Sequence, residues 1–266
     1  MRLVFLGSPD AAVPSLEALV AAGHDVALVV TQPDRRRGRG ADLVPTPVKA
    51  AAMAHGIPTT EKVDDALAVG AELGVVVAFG KIIKEHVLDA LPMINVHFSL
   101  LPRWRGAAPV ERAILAGDQE TGVCIMRVDV GLDTGDVFAV ERVAIDDAIS
   151  ADELTAKLAE DGARLLVRTV AAGLTGAAAQ DGEPTYASKV TPDELRLDLS
   201  LPAEQLVRVT RLGRAWTTVN GKRLIVWRAR VHDGAFEPIE VQPEGKGRMA
   251  FVDWARGAGG TIALGS

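Results

Sequence analysis

The chain has a single cysteine, Cys124, in 266 residues. One thiol closes no internal disulfide and leaves a Cys-rich zinc site without ligands. Cys124 sits in the apolar run Val123–Met126 and reads as a small buried hydrophobe, suited to a reducing compartment. No secretory leader is expected either, because Met1–Leu6 runs straight into a strand-like segment with only Arg2 ahead of it. No apolar run approaches the ~18 residues of a membrane span, so no membrane association is expected and the cytoplasm is the expected location. The stretch Leu6-Gly7-Ser8-Pro9-Asp10 is not G-x-G-x-x-G, and Pro9 spoils a glycine-paved approach to a pyrophosphate. Neither a G-x-S-x-G elbow nor a Walker motif occurs. His24, His55, His86 and His232 lack metal-ligand spacing, so no metal is expected. There is no internal repeat and no long disordered stretch.

What is present is a soluble globular composition, 48% hydrophobic and 24% charged. The length suits one large α/β domain and a small second one. A net charge of −6 does not suggest a nucleic-acid binder, but the average hides a split. From Ser200 onward the balance is +4, and over Met1–Leu199 it is −10. The acidic part contains one basic island, Arg35-Arg36-Arg37-Gly38-Arg39. Local sign governs an encounter with phosphates more than the total does.

Short apolar runs alternate with helical patterns. Strands are predicted at Leu3–Leu6, Val26–Val30, Gly74–Ala78 and Ile94–His97. Helices are predicted at Val13–Ala22, at a segment opened by Thr46-Pro47 and closed by Gly56, and at Pro109–Ala116. This β-α alternation predicts a mostly parallel sheet with helices on both faces. Two further strands, Gly122–Arg127 and Val137–Ile145, flank the loop Asp129–Asp136. A long helix follows over Asp152–Ala172, with Leu154, Leu158, Leu165 and Leu166 on its apolar face. Composition shifts toward Pro, Asp, Ser and Thr over Gln180–Pro202, which reads as a crossing to a second unit. Trp216–Val231 predicts a hairpin turning at Asn220-Gly221. Its second strand should place Ile225, Trp227, Ala229 and Val231 on one face, and Arg228 and Arg230 on the other. The expected division is a catalytic domain over 1–188, a linker over 189–203, a reduced β-rich domain over 204–256 and a flexible tail over 257–266.

In an open α/β sheet, ligands bind beyond the carboxyl ends of the strands. That directs attention to Asn95-Val96-His97-Phe98-Ser99-Leu100-Leu101-Pro102. Asn95 and His97 are two apart and project from one face of an extended chain. Polar side chains on an otherwise apolar strand need partners or a ligand, and a hydrogen-bonded pair anchoring the next loop would satisfy them equally. A second polar cluster, Gly131-Leu132-Asp133-Thr134-Gly135-Asp136, presents Asp133 at a turn where it could serve simply as a turn residue. If that loop faces His97, a donor, a proton-sharing group and a carboxylate surround one cavity, a set suited to attack of an amine on an activated acyl carbon.

Five segments together resemble the methionyl-tRNA formyltransferase family: Val4–Asp10, Thr31–Gly40, Val77–Lys81, Asn95–Pro109 and Asp129–Asp136. The resemblance covers roughly Met1–Val190. It implies a Rossmann-like formyltransferase domain using 10-formyltetrahydrofolate as co-substrate, initiator methionyl-tRNA as acceptor, no metal and a monomeric state. It assigns Asn95, His97 and Asp133 to catalysis. It implies that Ser99, Leu100, Leu101 and Pro102, with Phe79, Gly80, Ile82, Asp129 and Gly131, line the folate pocket. It further implies that Arg35, Arg36, Arg37 and Arg39 reach the acceptor end of the tRNA.

The carboxyl-terminal part departs from the family pattern. Members of the family carry a small β-barrel there, whereas here only His232-Asp233-Gly234-Ala235 bridges Glu204–Val231 and Pro238–Trp254. Too few strands remain to close a barrel, so exposed strand edges must be covered in another way. The sequence leaves three other readings open: a formyltransferase acting on a nucleotide-linked amino sugar, a formyltetrahydrofolate hydrolase, and a folate- or RNA-binding module without catalysis.

Overall fold

The computed structural model describes residues 1–36, 43–258 and 262–266. The chain runs β1 (Arg2–Gly7), α1 (Val13–Ala21), β2 (Asp25–Val30), the short pair β3 (Arg35–Arg36) and β4 (Leu43–Val44), α2 (Pro47–Ala54), β5 (Thr59–Thr60), β6 (Leu73–Val77), α3 (Glu85–Ala90), β7 (Met93–His97), β8 (Arg105–Gly106) and α4 (Pro109–Ala116). It continues through β9 (Glu120–Arg127), β10 (Val137–Ala144), α5 (Ala151–Ala171), β11 (Tyr186–Ala187), α6 (Ala203–Thr210), β12 (Ala215–Val219), β13 (Lys222–His232), β14 (Ala235–Pro243), β15 (Met249–Ala250) and α7 (Phe251–Ala258). Among the described residues no helix is long and apolar enough to cross a membrane.

The chain divides into two compact units. The first holds a seven-stranded sheet in the order β10-β9-β7-β6-β1-β2-β5. The five strands β7 through β5 in that order run parallel, and β9 and β10 are antiparallel additions at one edge. The parallel strands are apolar on both faces because helices cover them. Every residue of β6 is buried, and Leu3–Leu6 of β1 are fully so. The order reverses beside β1, so the crevice between β1 and β6 is the topological switch point where α/β sheets place their ligands. The Thr46 hydroxyl caps α2 by accepting from the Lys49 amide at 3.1 Å, and Pro47 occupies its first turn. In α5, Gly162 allows close approach to the sheet, since a Cβ there would lie 2.9 Å from Val96.

The second unit is built from Ser188–Ser266 together with Val110–Gln119 and Ile145–Leu154. A boundary at residue 188 therefore separates those two earlier segments from their partners: the Arg112 guanidinium donates to Glu194 Oε1 at 2.6 Å, and the Ala151 amide to the Arg211 carbonyl at 2.8 Å. A four-stranded antiparallel sheet, β12-β13-β14-β15, forms the centre. The first hairpin turns at Asn220-Gly221 with φ of +50° and +71°, as its residues predict. The alternation expected along β13 holds for Ile225 and Trp227 and breaks before Ala229. Leu224 and Val226 face the core, while Ile225 and Trp227 lie on the opposite side. An irregularity in the pairing between Val226 and Ala229 then shifts the alternation and returns Ala229 to the core.

One edge of this sheet is covered locally. The outer edge of β12 receives the Leu197 amide on the Trp216 carbonyl at 2.8 Å, and the Gly265 amide on the Thr218 carbonyl at 2.7 Å. The expected linker 189–203 is thus part of the second unit, with Leu197 in its core. Over the described end of 257–266, Ile262 and Leu264 pack on the same core, and the Ser266 carbonyl accepts from the Gly221 amide at 3.0 Å.

Candidate active site

Three strand ends of the first unit are tied together beyond the sheet. The Gln32 amide donates to Ser8 Oγ at 3.0 Å, and the Gln32 side chain donates to the Phe79 carbonyl at 3.0 Å. These residues follow β2, β1 and β6, so the crevice at the switch point has a fixed floor. Next to it ends β7, which carries Asn95 and His97. His97 is buried, and its Nε2 lies 2.9 Å from the Trp104 carbonyl. A carbonyl oxygen only accepts, so this bond places a proton on Nε2. Nδ1 is then the nitrogen turned toward Asp133, 3.8 Å from its Oδ2. It acts as an acceptor in the neutral ring and as a donor once the ring is protonated. Asn95 is half-buried, and among the described residues none hydrogen-bonds to its carboxamide.

Two loops deliver the remaining groups. After β7 the chain passes a cis Leu101-Pro102 bond and Trp104 in the left-handed region, then reaches Gly106. Gly106 has φ of +119°, and a Cβ there would lie 2.9 Å from the Ala187 carbonyl oxygen. The Gly106 amide donates to Asp133 Oδ2 at 2.8 Å, which holds the carboxylate beside the imidazole. Asp133 itself has φ of +49°. Its loop is tight because Gly135 packs on the Arg127 carbonyl, leaving no room for a Cβ. Gln180, which sequence reasoning missed, donates to the carbonyls of Asp133 and Gly135, both at 2.9 Å.

The other expected site residues divide by what they offer. Ser99 is fully buried and its hydroxyl donates to the Arg103 carbonyl at 2.6 Å, so it braces its loop. Leu100, Leu101 and Pro102 are half-buried. The Phe79 side chain belongs to the core, Gly80 is exposed, and Ile82 is 92% exposed. Asp129 and Gly131 line a groove of about 670 Å³ with Leu88, Met93, Val128 and Phe138. That groove lies toward the amino ends of β6 and β7, so the apolar space is displaced from the strand-end crevice. Arg35 pairs with Val44 and Arg36 with Leu43, whereas Arg37 and Arg39 lie outside the described residues. The other histidines make surface pairs or lie apart: His55 with Glu17 and His86 with Asp64, each at 2.6 Å.

Cys124 pairs in register with His97, which raises the question of a thiolate nucleophile. Burial pushes its thiol up to about 11, so it stays protonated and inert at neutral pH. What remains is a polar trio suited to acyl transfer without a covalent enzyme intermediate. Among the described residues no cluster of His, Cys, Asp or Glu is placed to hold a metal ion.

Residues 1–170 match the formyl transferase family profile. The fold is thus that of a formyltransferase, an enzyme of one-carbon group transfer. The methionyl-tRNA formyltransferase of Clavibacter sepedonicus is 44% identical over 296 aligned positions that cover 97% of each chain. The alignment is longer than the 266 residues present here, so at least 30 of its positions have no counterpart in this chain. The chain belongs to the methionyl-tRNA formyltransferase family. The fold also matches the solved methionyl-tRNA formyltransferase from Clostridium thermocellum, with a TM-score of 0.66 at 15% identity over 93% of this chain and 100% of that one. An N-formyltransferase from Helicobacter canadensis, solved with folinic acid and dTDP-3-aminofucose, gives a TM-score of 0.71 at 18% identity over 94% and 98%.

Proposed function

We propose that this chain transfers the formyl group of 10-formyltetrahydrofolate to the α-amine of initiator methionyl-tRNA, acting as a cytoplasmic monomer. The reading is carried by one observation: His97 and Asp133, distant in sequence, meet 3.8 Å apart beside a strand-borne carboxamide that has no hydrogen-bond partner among the described residues. A folate co-substrate fits the residues present, because the Asn95 carboxamide, to which no described residue hydrogen-bonds, can bond its formyl oxygen. Bound there, it supplies a formyl group already activated on nitrogen. The residues that would hold it are the backbone of Phe79, Gly80 and Ile82, the Leu100–Pro102 segment, and Asp129 and Gly131. Ser99 supports them by bracing the turn.

Asn95 donates to the oxygen on which negative charge builds as the amine adds to the formyl carbon. His97 keeps its Nε2 proton on Trp104, so Nδ1 accepts the proton lost by the amine. Asp133 faces the resulting imidazolium and stabilises it. Nδ1 then returns that proton to the departing nitrogen, so one C–N bond forms as another breaks and no enzyme bond is made. Arg35, Arg36, Arg37 and Arg39 engage tRNA phosphates, for which the planar guanidinium is well suited.

The test supplies 10-formyltetrahydrofolate with a labelled formyl group, together with methionyl-tRNA, with a nucleotide-linked amino sugar, or with no acceptor. Label is expected on methionyl-tRNA. Transfer to the sugar alone, or release as formate at the same rate without acceptor, overturns the reading.

A further inference from the structure

Residues 178–187 form a strap across both loops of the site. Ala178 and Val137 exchange backbone hydrogen bonds at 2.8 and 3.0 Å, which holds one end of the strap to β10. At the other end β11 pairs in parallel with β8, and the Thr185 hydroxyl accepts from the Trp104 amide at 2.9 Å. Gln180 sits between these anchors, half-buried. Its Nε2 donates to the Asp133 and Gly135 carbonyls, and its Oε1 accepts from Arg105 Nε at 3.0 Å and Nη2 at 2.7 Å. Only this orientation of the carboxamide satisfies all four bonds, because the reversed amide would set its oxygen against two carbonyls and its nitrogen against a guanidinium. The two loops it joins are the two that place Asp133: one bears the carboxylate, and the other bears the Gly106 amide that fixes it.

We propose that Gln180, oriented by Arg105, is a positioning residue that sets the Asp133 carboxylate opposite His97. The proposal rests on the reading of Asp133 given above and lies beyond the segment 1–170 that matches the formyl transferase profile. Without the carboxamide, the Asp133 turn keeps its glycines but loses the two donors that hold its carbonyls. A displacement of about 1 Å in a reacting group can lower turnover about 100-fold.

The test uses the full chain with Gln180→Ala and Gln180→Glu. Gln180→Ala is expected to lower kcat about 10- to 100-fold, with KM for 10-formyltetrahydrofolate within about twofold and an unchanged melting temperature. Exchange of the Gly106 amide hydrogen should accelerate, because its acceptor is no longer held. Gln180→Glu keeps the shape and the Arg105 pair but loses the donors. Its rate relative to the unmodified chain should rise toward acid pH, where a protonated carboxyl regains one donor. Asp133→Asn is measured alongside as a control on the reading itself. Unchanged kcat and unchanged Gly106 exchange in Gln180→Ala overturn the positioning role. Faster exchange with unchanged kcat leaves the brace in place and overturns the catalytic reading of Asp133, as does near-normal turnover in Asp133→Asn.

Discussion

The parallel sheet of the first unit and the antiparallel sheet of the second hide apolar surface in different ways. In the first, β1 and β6 are covered on both faces, so the only positions left for chemistry are strand ends and the loops that leave them. In the second, one face of β13 packs through Leu224 and Val226, while the other carries Ile225 and Trp227. Arg248 stacks over the Trp227 ring, 3.3 Å from its centroid. A doubly covered sheet concentrates polar groups into one crevice, whereas a singly covered one spreads cation and aromatic surface along a face. On our reading, the first arrangement does chemistry and the second contributes surface.

The sharpest way to break this contrast is Asp133→Asn, which keeps the shape of the turn but removes the charge facing His97. Turnover should fall about 10²- to 10⁴-fold in a formyl-transfer assay, with methionyl-tRNA affinity unchanged. Next in size is a core truncation in each unit. Leu158→Ala and Leu224→Ala each remove a side chain with almost no solvent exposure and should each cost about 2–5 kcal/mol in urea unfolding. A loss below about 1 kcal/mol for Leu224→Ala would mean that the shortened second sheet has no well-packed core.

A smaller effect is expected from the basic island. Changing Arg35, Arg36 and Arg39 together to Ala should flatten the salt dependence of tRNA binding by about one unit of slope for each phosphate that is no longer neutralised. An unchanged slope would leave the surface of the second unit as the seat of tRNA affinity. The smallest effect concerns Glu194, whose carboxyl is held down to about 2, first by the Arg112 hydrogen bond and then by the Thr191 amide. Because its folded-state value is depressed, it stabilises the native chain above the ordinary value of 4.5, and that contribution disappears as pH falls from there toward about 2. The pair is partly exposed, so Glu194→Gln should cost less than about 1 kcal/mol at neutral pH and nothing in strong acid, as read from denaturation at the two pH values.

The contrast also explains what could be read from the sequence. Strand runs such as Leu3–Leu6 and the helix Pro109–Ala116 were legible because burial on both faces and a proline at a helix start leave continuous local signals. Asn95 and His97 were legible because two polar residues interrupt an apolar strand. The proximity of Asp133 to His97 was only a condition, since a loop of six residues does not state which way it folds. Gln180 carried no signal: its three partners, Arg105, Asp133 and Gly135, are at least 45 positions away, and its surroundings read as a linker by composition. In the second unit the Asn220-Gly221 turn was plain and Ile225 and Trp227 do share a face, but the alternation expected to continue through Ala229 is reset by an irregular pairing that leaves no mark in the residue types.

The most direct measurement of the central claim is single-turnover formyl transfer to methionyl-tRNA by Asn95→Ala, run beside equilibrium binding of the folate. The account predicts a rate lower by about 10²- to 10³-fold with folate affinity little changed, since the carboxamide acts on charge that exists only during the reaction. A near-normal rate would contradict it, because the Asn95 carboxamide, unpartnered among the described residues, would then have no part in the chemistry.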